Sequence, residues 1–341
     1  METQTTNIYR NIIKEIRQAD HILITSHKSP DGDSVGSSLG LWHFIQKLGK
    51  KVFICHPDPA PDFLVWLEGA GSILTMQCHK EQVETHFQQA DLIFCLDYNE
   101  PARLGEEMQP LLEKAVAKKI MIDHHLNPLP FADITVSETS VCSTAQLIYE
   151  LIEQSGNGKL IDGRIGTALY LGILTDTGSF RFPSVQPRTH EIIAKLLEAG
   201  VVHHLVHENL NDNNTVSRMR IQGYAMSEKL EVLNDMPVAI IHMTEEELKR
   251  FNAQKGDTEG IANMALTIKG IKAAIFLSEK DGKVKISFRS KGDDNPVNGL
   301  AAEHFGGGGH ANASGGTSNL SMADTIKKLK EVLPAYFARK D

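Results

Sequence analysis

The sequence predicts an α/β protein in two parts: an N-terminal domain built on a parallel sheet, joined by a helical connector to a smaller α/β C-terminal domain. Three observations lead there. Short apolar runs of β type alternate with helix-period stretches through the first half, the pattern that lays strands side by side in parallel. A polar, helix-period stretch follows and passes through the loop-like Asn-Asp-Asn-Asn-Thr run at 211–215. A second set of strand-type runs then begins, and 341 residues suffice for two domains of about 100–200 residues each. The expected boundaries are 1–187, 188–234 for the connector, and 235–341.

The elements follow in order. Residues 7–19 place apolar side chains at helical spacing, and His-Ile-Leu-Ile-Thr-Ser at 21–26 is an apolar β-type segment running into a Pro-Asp-Gly turn. The helix expected from Ser34 to Gly49 opens on small residues. Buried-type strands are expected at 51–56, 91–97 and 119–123, with helical stretches between them. Residues 143–175 read as two helices around a glycine-rich turn, the second delivering Thr-Asp-Thr-Gly-Ser-Phe at 175–180. Further on, strands are expected at 236–243, 271–279 and 282–290, with Asp281-Gly282 turning the last two into a hairpin. Helices are expected near 244–252, 258–268 and 322–333, and the glycine run 306–309 reads as a loop.

Composition narrows the function. Hydrophobic residues at 41% and charged residues at 23% are ordinary globular usage, against a disordered or fibrous chain. A formal net charge of -8 argues against a broad basic face for long nucleic acid and favours a short or small phosphate substrate, a local basic groove apart. Cys55, Cys78, Cys95 and Cys142 form no C-x-x-C pair, which excludes a zinc ribbon or a disulfide framework and leaves buried thiols. The N-terminus is polar, and no apolar run reaches the roughly 18 residues of a membrane span, so no membrane partner and a cytoplasmic location are expected. There is no G-x-x-x-x-G-K-[S/T], which disfavours a P-loop nucleotidase. His203, His204 and His207 share helical spacing but have no evident carboxylate partner, so they read as a solvated face. Lys-Gly-Asp-Asp-Asn-Pro at 291–296 lacks the ligand spacing of a calcium loop.

The chemistry concentrates at element ends. Asp97 and Asp123 close two expected strands, and Asp31 and Asp33 lie just past another; in parallel sheets, sites form beyond the carboxyl ends of strands. Divalent cations are held by carboxylates and imidazoles, and two ions about 3.5–4 Å apart can clamp the attacking and leaving oxygens of a phosphoryl transfer. The N-terminal half supplies a suitable set: His27, Asp31 and Asp33 within His-Lys-Ser-Pro-Asp-Gly-Asp, then Asp97, the Asp-His-His run at 123–125, and Asp176. Any one of these alone reads equally well as a cap, a turn or a surface residue. Together, in one α/β unit, they point to a two-metal site.

In these residues the chain resembles the DHH superfamily of phosphoesterases, named for the Asp-His-His run found here at 123–125. The pattern H-x-x-P-D-x-D is matched at 27–33, the strand-end acid at Asp97, and a later motif at Asp176 within Gly-Ile-Leu-Thr-Asp-Thr-Gly-Ser-Phe. The run Gly-Gly-Gly-Gly-His-Ala-Asn-Ala-Ser-Gly-Gly at 306–316 is similar to the signature of the associated DHHA1-type substrate-binding domain. The resemblance covers nearly the whole chain.

It implies that His27, Asp31 and Asp97 hold one ion, that Asp97 bridges to a second, and that Asp33, His124 and Asp176 complete the second site. It implies catalytic roles for His125, facing the phosphate or leaving group, and for Asp123, orienting its neighbours. With two imidazoles in the set, Mn²⁺ is the expected ion; Mg²⁺ favours all-oxygen octahedra and stands with Co²⁺ and zinc as an alternative. In the C-terminal domain, Arg289, Ser290, Gly308, Gly309 and His310 are the expected substrate contacts: a planar cation and a hydroxyl for a terminal phosphate, and backbone N–H groups free to approach closely. Arg103, six residues past Asp97, is a further candidate for reaching a phosphate.

Within the superfamily, the glycine-histidine signature separates the chain from the family's inorganic pyrophosphatases, its length from RecJ-type exonucleases, and the lack of membrane segments from cyclic-dinucleotide phosphodiesterases. It is most similar to the nanoRNase and pAp-phosphatase group. The implied substrates are short RNA, linear dinucleotides such as pApA, and 3′-phosphoadenosine 5′-phosphate (pAp), and a homodimer is compatible with that group. A RecJ-like exonuclease on longer single strands and a nucleotide-binding regulator without turnover stay open.

Overall fold

Strands buried on both faces need a layer on each side, and the first half of the chain supplies it by alternating strands with helices. The computed structural model describes residues 4–212, 214–254, 256–292 and 294–338. Its first unit, up to residue 213, runs α1 (Gln4–Gln18), β1 (Ile22–Ser26), α2 (Gly32–Lys47), β2 (Val52–His56), β3 (Ile73–Thr75), α3 (Met76–Gln89), β4 (Leu92–Leu96), α4 (Gly105–Lys114), β5 (Lys118–Asp123), β6 (Ile134–Ser137), α5 (Thr144–Ile152), α6 (Gly163–Asp176), α7 (Pro187–Glu198) and α8 (His203–Asn211). The strands form one sheet in the order β3-β2-β1-β4-β5-β6, and all five pairings are parallel. Central β1 and β4 are buried throughout; β4 is apolar along its length, and the Thr25 and Ser26 hydroxyls of β1 donate to the Phe94 and Leu96 carbonyls. β3 and β6 escape the sequence reading because they are short edge strands, made by pairing with β2 and β5 rather than by an apolar run of their own.

Strand order reverses between β1 and β4: the chain builds outward through β2 and β3 on one side, then through β5 and β6 on the other. At such a switch point the loops leaving the two central strands diverge, and a crevice opens beyond their carboxyl ends. One wall of that region is the contact of α2 with α5 and α6. A Cβ on Gly36 would sit 2.5 Å from the Ala168 carbonyl oxygen, and one on Gly172 would sit 2.6 Å from Ala145 Cβ and 3.0 Å from Asp33 Oδ1. Only glycine lets these backbones approach so closely. Of the cysteines, Cys55, Cys95 and Cys142 are buried as expected, but Cys78 is exposed, on the first turn of α3.

The second unit, from residue 214, holds α9 (Val216–Glu228), β7 (Leu230–Val232), β8 (Val238–Met243), α10 (Glu245–Arg250), α11 (Ile261–Leu266), β9 (Ala273–Lys280), β10 (Lys283–Ser290), α12 (Asn298–Phe305), β11 (Gly308–His310), β12 (Ala313–Ser318) and α13 (Met322–Ala338). Its sheet order is β11-β12-β10-β9-β8-β7, with β8 and β9 parallel and the other pairs antiparallel. The stretch 188–234 is shared between the units, α7 and α8 falling in the first and α9 and β7 in the second. Asp281 and Gly282 both take positive φ, +51° and +72°, as the tight turn between β9 and β10 demands. The glycine run is not a loop. Its Gly308 and Gly309 belong to β11, hairpinned onto β12, and a Cβ on Gly307 would lie 1.8 Å from the Gly315 carbonyl oxygen. Glycine is needed there for close approach rather than for mobility. Among the described residues, no helix is long and apolar enough to cross a membrane.

Candidate metal centre

The loop leaving β1 carries the first cluster. His27 is buried, and its Nδ1–H donates to the Lys28 carbonyl at 2.9 Å. A carbonyl can only accept, so this bond fixes the tautomer and leaves Nε2 for a ligand. Nε2 lies 3.4 Å from Asp97 Oδ2 and 3.7 Å from Asp31 Oδ2. Ser29 turns the loop through a positive φ of +57°, and its N–H donates to Asp58 at 2.8 Å. Asp31 caps α2: its Oδ1 accepts the N–H groups of Asp33 and Ser34 at 3.1 and 3.0 Å, which leaves Oδ2 facing His27.

Asp33 is held by the amino end of α5, where free N–H groups and the helix dipole favour a negative charge. Its Oδ2 accepts the Thr144 N–H at 2.6 Å and its Oδ1 the Ala145 N–H at 2.8 Å. Asp97 follows β4 in the left-handed region, φ +64°, a conformation that aspartate tolerates better than most residues. Thr144 Oγ1–H donates to Asp97 Oδ1 at 2.9 Å. Asp123 ends β5 fully buried and accepts two bonds from His125, from Nδ1–H at 2.7 Å and from the backbone N–H at 3.1 Å. His124 Nε2 lies 3.3 Å from Asp176 Oδ2, 3.6 Å from Asp97 Oδ1 and 3.9 Å from Asp33 Oδ2. Asp176 is the last residue of α6.

Three groups of donor atoms are thereby close enough to hold a cation: His27, Asp31 and Asp97; Asp33, His124 and Asp176; and Asp97, His124 and His125. Asp97 joins them, its Oδ2 turned to His27 and its Oδ1 to His124. The donor chemistry fits divalent cations of hard or borderline character. So does the electrostatics. Burial, reinforced by Asp97, Asp176 and Asp31, holds Asp33 well above the usual carboxylate range, and burial with Asp97 and Asp31 pushes Asp176 up to about 7. Burial opposes charge on His27, but hydrogen bonds to Asp31 and Asp97 outweigh it and raise the imidazole to about 10. Burial would likewise raise Asp97, yet its bond to His27 and the charges of His27, His124 and His125 bring it below the usual range. On His125, burial is outweighed by the bond to Asp123 and the pKa rises, with Arg103 opposing. Such crowding of buried carboxylates is what a bound dication relieves.

The first unit thus gathers His27, Asp31, Asp33, Asp97, Asp123, His124, His125 and Asp176 into one site. Of the other expected residues, Arg103 lies in the first unit, in the turn Pro101–Leu104, and the rest lie in the second. Arg289 and Ser290 end β10, where Arg289 pairs with Ala313 of β12, and Gly309 of β11 pairs with the next residue, Ser314. Arg289 is half-buried, its Nη1–H donates to the Phe288 carbonyl at 2.9 Å, and burial lowers its pKa. The Ser290 hydroxyl donates to Asn312 Oδ1 at 3.0 Å. A Cβ on Gly308 would meet nothing within 4 Å, so its backbone is open to approach. His310 closes β11, and its side chain lies outside the described residues. His203, His204 and His207 belong to none of the candidate metal groups among the described residues. Sequence reasoning missed Thr144, although Ser143-x-x-Gln146 has the spacing of a helix cap and could have marked the α5 amides as an anchor.

Carboxylates and imidazoles converging at the switch point of a parallel sheet define a class of site, one suited to divalent cations. Residues 21–173 match the model of the DHH family, N-terminal domain, and residues 235–338 match the DHHA1 domain. The bifunctional oligoribonuclease and PAP phosphatase NrnA of Thermus thermophilus is 31% identical over 315 residues, 92% of this chain and 88% of the relative. That of Bacillus subtilis is 27% identical, over 89% of this chain and 91% of the relative. The crystal structure of an exopolyphosphatase-related protein from Bacteroides fragilis superposes with a TM-score of 0.94 at 38% identity, over 97% of each chain. A RecJ exonuclease crystallised with manganese shares the fold, with a TM-score of 0.53 at 15% identity. The chain belongs to the DHH family of phosphoesterases and carries a DHHA1 domain.

Proposed function

We propose that this enzyme hydrolyses short oligoribonucleotides and linear dinucleotides such as pApA to mononucleotides, and pAp to AMP, with two divalent cations, Mn²⁺ foremost. The observation that carries the reading is Asp97, whose two oxygens face two separate donor groups about one carboxylate. End-to-end likeness to NrnA proteins supports the substrate class, and the net charge of -8 suits a ligand with few phosphates.

In this reading His27, Asp31 and Asp97 hold one cation, and Asp33, Asp97, His124 and Asp176 the other. When bound, the pair supplies an acidified water and charge neutralisation at the phosphoryl oxygens. The chain does the placing. The α5 amides fix Asp33, the cap on α2 fixes Asp31, and the Thr144 hydroxyl fixes Asp97. Asp123 holds Nδ1 of His125 and so sets the orientation of the ring that in this reading meets the phosphate or the leaving oxygen. Arg289, Ser290, His310 and the backbone N–H groups of Gly308 and Gly309 bind a phosphate or ribose of the substrate.

The test incubates metal-stripped protein with pApA, pAp and a single strand of about 24 nucleotides, with Mn²⁺, Mg²⁺, Co²⁺ or no metal, beside an Asp97→Ala control. Metal-dependent release of AMP from pApA and pAp, slow on the long strand and lost in the control, is the expected result. Undiminished activity on the long strand would replace the reading with a RecJ-like exonuclease. Nucleotide binding without turnover would make the protein a regulator.

A further inference from the structure

Arg103 is an arginine beside an acidic centre that pairs with none of its carboxylates. It lies in the 3₁₀ turn Pro101–Leu104, on the same loop out of β4 as Asp97. The turn is tied to the ligand loop, because the Lys28 N–H donates to the Arg103 main-chain carbonyl at 2.8 Å. The side chain is half-buried, and its Nε is buried with no hydrogen-bond partner among the described residues. Arg188 of the same unit behaves differently, pairing with Glu153 and Glu191. The Arg103 charge is also among those that act on His125, the residue expected to face the phosphate.

A buried guanidinium donor without an acceptor is costly unless a ligand completes it. Neighbouring carboxylates would be the obvious acceptors, but the centre turns them toward His27 and His124 and into the α2 and α5 amides. What remains for Arg103 is an anion brought in from outside, and a planar fork of donors suits two oxygens of one phosphate.

We propose that Arg103 is a catalytic residue that grips the non-bridging oxygens of the phosphate under attack. This rests on the reading of the site as a phosphoesterase centre. The charge that Arg103 meets grows as the leaving oxygen departs, so its contact strengthens in the transition state and acts on kcat more than on KM. Because the Lys28 N–H uses the main-chain carbonyl, removing the side chain leaves the loop anchor in place.

The experiment compares wild type, Arg103→Ala and Arg103→Lys, each loaded with Mn²⁺, on pApA, and titrates each with inorganic phosphate by calorimetry. Expected for Arg103→Ala are a fall in kcat of about 10²-fold, a small change in KM, unchanged Mn²⁺ affinity, weakened phosphate binding, and partial rescue of kcat by added guanidinium. Arg103→Lys keeps the charge but loses the fork, so it falls between the two. A kcat for Arg103→Ala equal to that of a fully active wild type overturns the inference and leaves the phosphoesterase reading intact; so does a loss of kcat accompanied by lost Mn²⁺ affinity and no guanidinium rescue. If wild type does not turn over pApA, that reading fails on its own, and equal phosphate affinity in wild type and Arg103→Ala removes the role of Arg103 as well.

Discussion

A carboxyl group that keeps its proton near neutrality must lose it before it can bind a metal. Asp176, raised to about 7 by burial and by Asp97 and Asp31, is such a group, and Asp33 is shifted in the same direction by burial and by Asp97, Asp176 and Asp31. His27 is raised to about 10, hydrogen bonds to Asp31 and Asp97 outweighing burial. A raised folded-state pKa favours the fold below the unfolded value, about 4 for an aspartate and 6.5 for a histidine, and that contribution is lost as pH climbs through the folded value. Asp97 is shifted the other way, but its contribution is lost only in strong acid, below the usual carboxylate range. The cation-free protein should therefore lose stability as pH rises through neutrality, and urea unfolding across that range will show it. Cations must expel these protons, so apparent Mn²⁺ affinity should rise by up to about tenfold per pH unit for each proton displaced. Calorimetry in buffers of different ionisation enthalpy measures the release; affinity that is flat with pH would remove Asp176 and His27 as ligands. The carboxylates should also separate by role. Asp33→Ala strands the Thr144 and Ala145 N–H groups and should cost about 1–3 kcal/mol of stability as well as metal affinity. Asp176→Ala breaks no hydrogen bond among the described residues and should lower metal affinity while relieving repulsion in the cation-free fold.

The candidate metal centre depends on how closely α6 lies against α2 and α5, and that closeness is set by glycine. A Cβ on Gly172 would meet Ala145 Cβ at 2.6 Å and Asp33 Oδ1 at 3.0 Å, so Gly172→Ala must push α6, with Asp176 at its end, away from Asp33. Overpacking of this kind costs about 1–3 kcal/mol, and Mn²⁺ affinity should fall with it. Gly223→Ala in α9 is the control, since its Cβ would meet nothing within 4 Å and alanine is favoured in a helix by about 1 kcal/mol. If both substitutions raise the urea midpoint, the glycine contact is not what positions the acids. The same elements show what sequence alone could reveal. β1, β2, β4 and β5 were legible because strands covered on both faces are rich in apolar residues, and the metal-binding candidates other than Asp176, at the end of α6, were legible because they stand at or just past the ends of those strands. β3, β6 and the β11–β12 hairpin were not, since pairing and close backbone approach make them strands without a hydrophobic pattern. The Thr144 bond to Asp97, which spans 47 residues, exists only once α5 has packed beside β4, and no local spacing encodes it.

At the scale of the whole molecule, the net charge of -8 sets how substrate is held. A protein that grips a long strand displaces a counterion for nearly every phosphate it neutralises, which makes its affinity fall steeply with salt, by about 0.7 in logarithmic slope per phosphate of a single strand. An acidic chain whose proposed cationic anchors are Arg103 in the first unit and Arg289 in the second has few such contacts to lose. pApA carries two phosphates, so the plot of log kcat/KM against log salt concentration, at fixed free Mn²⁺, should have a slope no steeper than about -1.4. Arg289→Ala should raise KM for pApA and flatten that slope by up to about 0.7, one phosphate contact's worth. An Arg289 that only supports the pairing of β10 with β12, through its bond to the Ser314 carbonyl, would instead leave the slope unchanged and lower the unfolding midpoint. A wild-type slope several times steeper would mean that many phosphates are held at once, and the substrate would then be a long single strand gripped along a groove that the overall charge conceals.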